Sequence, residues 1–351
     1  MMQQDELGCG TMCFDESGRC KALTADGRCQ WQLELGYEYL SDVCKVYPRL
    51  IFASSRGLEF SLSFSCPAAA ATLKQAEPVS FTLEEAGTSE FFFMRPSEVG
   101  YYAPERLPAT DLKTHYFLIE AGLIRIIQDR SYTIGERLIL IGRTLGRLAA
   151  LNGSAQTQET VIAALASYKE AVSLQKDYEM HLQTLQKVFA ALIKNQNKVR
   201  ESLNFLLKVA RLAAENAAPD FWSIVEAENQ WFSETEYEQL LQKQGFAKQE
   251  WCSSIVENYF VNFIFSKPFY FNEWQQTYFK MALLHGLIQF ITVCLRSWQE
   301  EEDPQEMLLL AITKADNLIS HSYQLIPDFW ECLQTLTDLE RHTLVSNLAM
   351  G

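Results

Sequence analysis

Positive charge is scarce in this 351-residue chain: 30 Lys and Arg stand against 44 Asp and Glu, for a net charge of −14. Bulk attraction to nucleic acid or to an anionic membrane is therefore disfavoured, and neither is expected as a partner. Long apolar runs are also missing. The most apolar stretch, residues 281–295, is interrupted by His285 and Gln289 and is too short to span a bilayer, so it reads as a buried helix. The opening Met1-Met2-Gln3-Gln4-Asp5-Glu6 has neither the basic nor the apolar region of a signal peptide, and a cytoplasmic location is expected. No glycine-rich strand-to-helix loop of the nucleotide-binding kind is present. The nearest candidate, Gly142-Arg143-Thr144-Leu145-Gly146, falls inside a helical stripe, which disfavours a Rossmann-type domain.

What is present falls into two unlike parts. Residues 1–107 are rich in turn signals, including Gly18, Asp26-Gly27 and Pro67, Pro78, Pro96 and Pro104. Short β-like runs lie between them, Leu50-Ile51-Phe52-Ala53 and Leu58-Glu59-Phe60-Ser61-Leu62-Ser63-Phe64, the second alternating as a half-buried strand does. Residues 108–351 read as helix. Leu138, Ile141, Leu145 and Leu148 form an apolar stripe behind a Thr133-x-x-Glu136 capping box. A polar-faced helical stretch is expected over 157–197, and another through Leu203, Leu206, Leu207, Ala210 and Ala214. Helix starts are expected at Ser233-x-x-Glu236 and Asp303-Pro304-x-Glu306. The fold class is thus mainly α: a small irregular Cys-rich module with short β-strands (1–107), followed by an all-α helical domain (108–351).

Six of the nine cysteines lie in the first 66 residues: Cys9, Cys13, Cys20, Cys29, Cys44 and Cys66. Glu16-Ser17-Gly18-Arg19-Cys20 is echoed by Ala25-Asp26-Gly27-Arg28-Cys29, each copy delivering a cysteine after a glycine turn. In a reducing compartment such a cluster favours metal ligation or redox chemistry over structural disulfides. The first histidine is His115, so the ligands would be all cysteine, and a four-thiolate zinc and an iron–sulfur cluster fit equally well. The spacing of Cys20, Cys29, Cys44 and Cys66 matches neither a zinc ribbon nor a ferredoxin run, and the bland alternative is buried free thiols. Cys252, Cys294 and Cys332 sit among apolar neighbours in helical stretches and read as core filling.

Several phrases carry a more specific signal. Gly18-Arg19-Cys20-x3-Thr24-Ala25-Asp26-Gly27-Arg28-Cys29, Leu35-Gly36-x-Glu38-x-Leu40-Ser41-Asp42-Val43-Cys44-x-Val46-Tyr47-Pro48-Arg49 and Leu62-Ser63-x-Ser65-Cys66-Pro67 resemble the flagellin lysine N-methylase family. So do Asp129-Arg130-x-Tyr132-x3-Glu136-Arg137-Leu138 and Glu257-Asn258-Tyr259-Phe260-Val261-Asn262-x-Ile264-Phe265. The resemblance implies N-methylation of lysine side chains on flagellin, with S-adenosylmethionine as donor. It further implies an iron–sulfur cluster, of the four-iron–four-sulfur kind, on Cys20, Cys29, Cys44 and Cys66. The chain departs from the family pattern in lacking an early Cys-Cys pair, and so reads as an N-terminally short member, the alternatives being a degenerate copy or one in which Cys9 and Cys13 stand in. The three-cysteine signature of radical enzymes is also missing.

Beside the cysteines, Tyr47 and Arg49 are the candidate cofactor contacts. The planar fork of Arg49 suits the donor's carboxylate or a thiolate-rich centre; a plain salt bridge is the alternative. Asn258, Tyr259 and Asn262 are the candidate catalytic residues. The two amides share one helix face beside a phenol and would line a pocket for a lysine amine, the alternative being helix–helix hydrogen bonding. Two other functions stay open: a structural-zinc adaptor without enzymatic activity, and an inactive shortened methylase.

Overall fold

The computed structural model describes residues 2–4, 10–12, 20–25, 28–75, 77–85, 100–151, 157–169, 250–298 and 303–320. Its mainly-α character matches the sequence pattern, with 64% of the described residues helical. A small hairpin pairs β1 (Met2–Gln4) with β2 (Gly10–Met12). Short helices α1 (Gln30–Leu35) and α2 (Asp42–Val46) lead into β3 (Arg49–Ser54) and β4 (Gly57–Leu62). These strands form an antiparallel hairpin turning at Ser55-Arg56, where Gly57 takes a φ of 108° that a side chain would resist. A third strand, β5 (Gly100–Tyr101), runs parallel to β3. Gly100 lies against the Phe52 ring, which leaves no room for a Cβ.

The β4 alternation is real, but its faces are reversed from the usual sense. Glu59 and Ser61 point inward, while Leu58 and Phe60 lie outward. A strand normally buries its apolar face; here the inward Glu59 meets a buried lysine, and that ion pair sets the register.

The helical body begins with α4 (Tyr116–Ile127) and α5 (Ile134–Ala149). Thr133 and Glu136 close the expected capping box, and Leu138, Ile141, Leu145 and Leu148 are all buried. The Gly142–Gly146 segment is helix, and Gly142 makes room for the Tyr278 ring. Of the helical stretch expected over 157–197, α6 (Gln158–Ala166) is present and ends where Ser167 turns its hydroxyl back onto the Ala164 carbonyl, and residues 170–197 lie outside the described residues. Residues 203–214 and the Ser233 start lie outside the described residues.

Next come α7 (Glu250–Phe265), α8 (Pro268–Phe271), α9 (Trp274–Trp298) and α10 (Pro304–Ser320), the last beginning at the expected Asp303-Pro304 start. The apolar stretch 281–295 is the buried middle of α9, and among the described residues no helix is long and apolar enough to cross a membrane. Helix α9 packs along α10, and α7 packs on α4. The core also takes in Phe64, Ala69, Ala70 and Leu73, from α3 (Pro67–Ala71) and its flanks.

Two of the phrases singled out in the sequence meet inside this core. Glu257 on α7 is buried and accepts from Arg137 at 2.7 Å and from Arg130 at 3.0 Å. Arg137 is itself buried and also donates to the carbonyls of Ile127 and Tyr132. Removing one partner of a buried pair strands the other charge away from water, whereas an exposed pair contributes little. Glu257→Ala should therefore destabilise the fold by about 3–5 kcal/mol, against about 1 kcal/mol or less for Arg130→Ala, whose side chain is half exposed. Urea unfolding of both variants checks this, and equal midpoints would contradict it.

Candidate functional site

Three sequence phrases converge where the base of the β3–β4 hairpin meets α7 and α10. Asn262 grips Leu62 twice: its Nδ2 donates to the Leu62 carbonyl at 2.7 Å, and its Oδ1 accepts the Leu62 amide at 3.1 Å. One turn earlier on the same helix face, Asn258 donates to the carbonyls of Leu73 and Gln75 at 3.3 and 3.1 Å. Its Oδ1 is buried without a hydrogen-bond partner among the described residues. Tyr259 donates to Asp316 Oδ1 on α10 at 3.1 Å, and the Ser63 hydroxyl donates to Asp316 Oδ2 at 3.4 Å. Ser63 Oγ lies 2.8 Å from Ser65 Oγ, which lies 3.2 Å from the Tyr47 hydroxyl. The Ser63 amide donates to the Pro48 carbonyl at 2.8 Å, which ties the Tyr47-Pro48 phrase to the Ser63–Cys66 turn.

The two asparagine amides thus spend their N–H groups on backbone carbonyls of residues 62–75. They clamp the segment that carries Cys66, rather than bonding to another helix. Cys66 itself caps α3, with its carbonyl accepting the Ala70 amide. Burial raises the Tyr47 phenol pKa, the nearby Cys66 and Asp316 add to the rise, and the hydrogen bond with Ser65 opposes it. Arg49 opens β3 with its side chain exposed.

The remaining candidate ligands lie on short loops and helices. Cys20 and Cys29 bracket a tight loop in which Leu23 bridges Cys29 and Thr24 bonds Arg28 in both directions. Cys44 is exposed on α2, whereas Cys20, Cys29 and Cys66 are half-buried, and all four thiols are free. Cys9, Cys13 and Cys332 lie outside the described residues, as does the side chain of Cys294. Cys252 is core filling, as expected: burial pushes its thiol up to about 12, so it stays protonated and inert. Among the described residues no three Cys, His, Asp or Glu side chains come together as a metal site. The four thiols have the right donor chemistry, but as they stand they do not form a four-thiolate centre.

A second polar cluster sits at the hairpin's tip. Lys267 is fully buried, with its Nζ 2.6 Å from Glu120 and 2.9 Å from Glu59. Arg56, at the turn, reaches both carboxylates at 2.7 Å, and the Tyr102 hydroxyl donates to Glu59. Burial alone would raise the Glu59 carboxyl, but hydrogen bonds from Tyr102 and Lys267 hold it below the usual range. Lys267 adopts a φ of 65° after α7, a position usually left to glycine. Sequence reading missed this cluster and also Asp316. The usable signals were Glu59 on the alternating strand and a lysine directly before Pro268.

A sequence model of the FliB lysine N-methylase C-terminal domain matches residues 121–345. The chain belongs to this family. No curated protein and no solved structure matches it. The stretch matched to the lysine N-methylase domain holds Arg130, Arg137, Glu257, Asn258, Tyr259, Asn262 and Asp316. The cysteine-bearing segment precedes it, so the Asn262 and Asp316 contacts are where the N-methylase helices take hold of the cysteine region.

Replacing Asn262 with leucine keeps the bulk but leaves the half-buried Leu62 amide and carbonyl unpaired, at up to about 1–3 kcal/mol for each group. Asn262→Leu should lower unfolding stability by about 2–4 kcal/mol, seen as a lower urea midpoint. A change within about 0.5 kcal/mol, the level of an ordinary surface substitution, would remove the clamp from the account.

Proposed function

We propose that this chain N-methylates lysine side chains of flagellin, with S-adenosylmethionine as methyl donor and an iron–sulfur cluster held by Cys20, Cys29, Cys44 and Cys66. The observation that carries the proposal is the match to the lysine N-methylase domain over residues 121–345, reinforced by the convergence of the family-like phrases at one junction. On this reading the reaction takes place in the cytoplasm.

The chemistry makes a clear demand on the lysine. Its nitrogen attacks only when uncharged, because the lone pair forms the new N–C bond as the donor's S–C bond breaks, and a proton then leaves the methylated nitrogen. Asn258, Tyr259 and Asn262 serve as positioning residues: their hydrogen bonds fix residues 62–75 and α10, and hence the place of Cys66, relative to the helical body. Tyr47, hydrogen-bonded to Ser65 beside Cys66, and the exposed Arg49 flank that segment. The bound cluster would add a thiolate-ligated iron centre, for which the four thiols must first be drawn together.

The test uses full-length chain purified without oxygen. Iron, sulfide and zinc are quantified, and flagellin incubated with the protein and S-adenosylmethionine is mapped by mass spectrometry. The proposal expects iron and sulfide at about four each per chain and lysines gaining methyl groups. Methylated lysines on an iron-free chain would remove the cluster and keep the enzyme. Zinc with unmodified flagellin would instead favour a structural adaptor.

A further inference from the structure

A wide, open cleft of about 630 Å³ lies beside the tip cluster, between α4, the end of α6 and the segment 77–85. One face of α4 supplies its floor, with Ala121, Ile124, Arg125 and Gln128 at helical spacing. Gln128 donates to the Val79 carbonyl at 2.8 Å and so fixes the wall that carries Phe81. The Phe265 ring is sandwiched, with the Lys267 ammonium 3.6 Å from its centre and the Phe81 ring stacked on it at 3.7 Å. Phe81 is 44% exposed, so its outer face remains open.

The charges around this cleft are unevenly spent. Glu120 is engaged by Arg56 and Lys267. Asp129 accepts from the Ser131 amide and hydroxyl and from Tyr168 at 2.7 Å. The cations are less committed. Arg125 is exposed and has no hydrogen bond or ion pair among the described residues; it only acts electrostatically on the Tyr168 phenol. Lys169 is largely exposed and no closer to Asp129 than 3.8 Å. Arg56 makes its bonds through Nε and Nη2 and keeps Nη1 without a partner among the described residues. The cleft therefore offers positive donors with spare hydrogen-bonding capacity next to an open aromatic face. That combination suits a ligand bearing a carboxylate and a flat ring.

We infer that this cleft seats the methyl donor, with Arg125, Lys169 and the free edge of Arg56 holding its α-carboxylate and the outer face of Phe81 stacking on its purine. The inference rests on the donor reading of the preceding section. It places the donor at the hairpin's tip instead of beside Tyr47 and Arg49 at the base.

The test is calorimetric binding to the full chain of S-adenosylhomocysteine, which keeps the amino-acid head, and of 5′-methylthioadenosine, which lacks it. The double variant Arg125→Gln/Lys169→Gln changes only exposed side chains. It should weaken S-adenosylhomocysteine by about tenfold or more and leave 5′-methylthioadenosine unchanged, while Phe81→Ala weakens both. Unaltered S-adenosylhomocysteine affinity in the double variant would overturn the cleft but leave the donor reading standing. Equal weakening of both ligands in the double variant would overturn the carboxylate assignment. No binding of S-adenosylhomocysteine to the unaltered chain would overturn cleft and donor reading together.

Discussion

The paired hydrogen bonds between Asn262 and the Leu62 backbone fix how the cysteine-bearing segment sits on the helical body. A side-chain amide has the same donor and acceptor geometry as a backbone peptide, so Asn262 continues the strand's pairing from within a helix. Because Leu62 ends β4, this grip fixes the base of the hairpin and the start of the turn running through Ser63 and Ser65 to Cys66. Asn258 holds the far end of the same segment at Leu73 and Gln75, while Asp316 gathers Tyr259 and Ser63. Between these anchors Phe64, Ala69, Ala70 and Leu73 enter the core shared with α7, α9 and α10. The hydrogen bonds choose the register, and apolar burial supplies most of the stabilisation.

The hairpin is held at its other end by ions. Buried Lys267, Glu59 and Glu120 and the more exposed Arg56 form a set in which each carboxylate faces two cations. Such a set is a weak source of net stability, since desolvation offsets much of the attraction. Its geometric effect is strong, because a one-residue slip of β4 would leave Lys267 facing Leu58 or Phe60. With an amide clamp at the base and an ion set at the tip, the hairpin becomes a fixed strut between the Cys66 junction and the cleft beside α4.

Much of the helical body was legible from residue pattern. The Thr133–Glu136 capping box, the Leu138–Leu148 stripe and the Asp303-Pro304 start each depend on residues within one or two turns of one another, and local signals of that kind need no knowledge of the fold. The reversed faces of β4 were hidden because Glu59 becomes an inward residue only once Lys267, far along the chain, is brought to it. For the same reason Asp316 gave no signal: its partners Ser63 and Tyr259 are distant in sequence from it and from each other. Asn258, Tyr259 and Asn262 were legible as a polar helix face, but what that face touches was not. Of the candidate site, Tyr47, Cys66, Asn258, Tyr259 and Asn262 could be named from sequence; Asp316, the ion set around Lys267 and the cleft required the tertiary contacts.

The central claim, that Asn262 locks the cysteine-bearing segment to the lysine N-methylase helices, is tested most directly by native-state hydrogen exchange at the Leu62 amide. The account predicts that this amide exchanges only through global unfolding, with an opening free energy equal to that of the buried amides of α7, and that Asn262→Leu shifts it to fast local exchange. Rapid exchange at Leu62 in the unaltered protein, with α7 still protected, would contradict it.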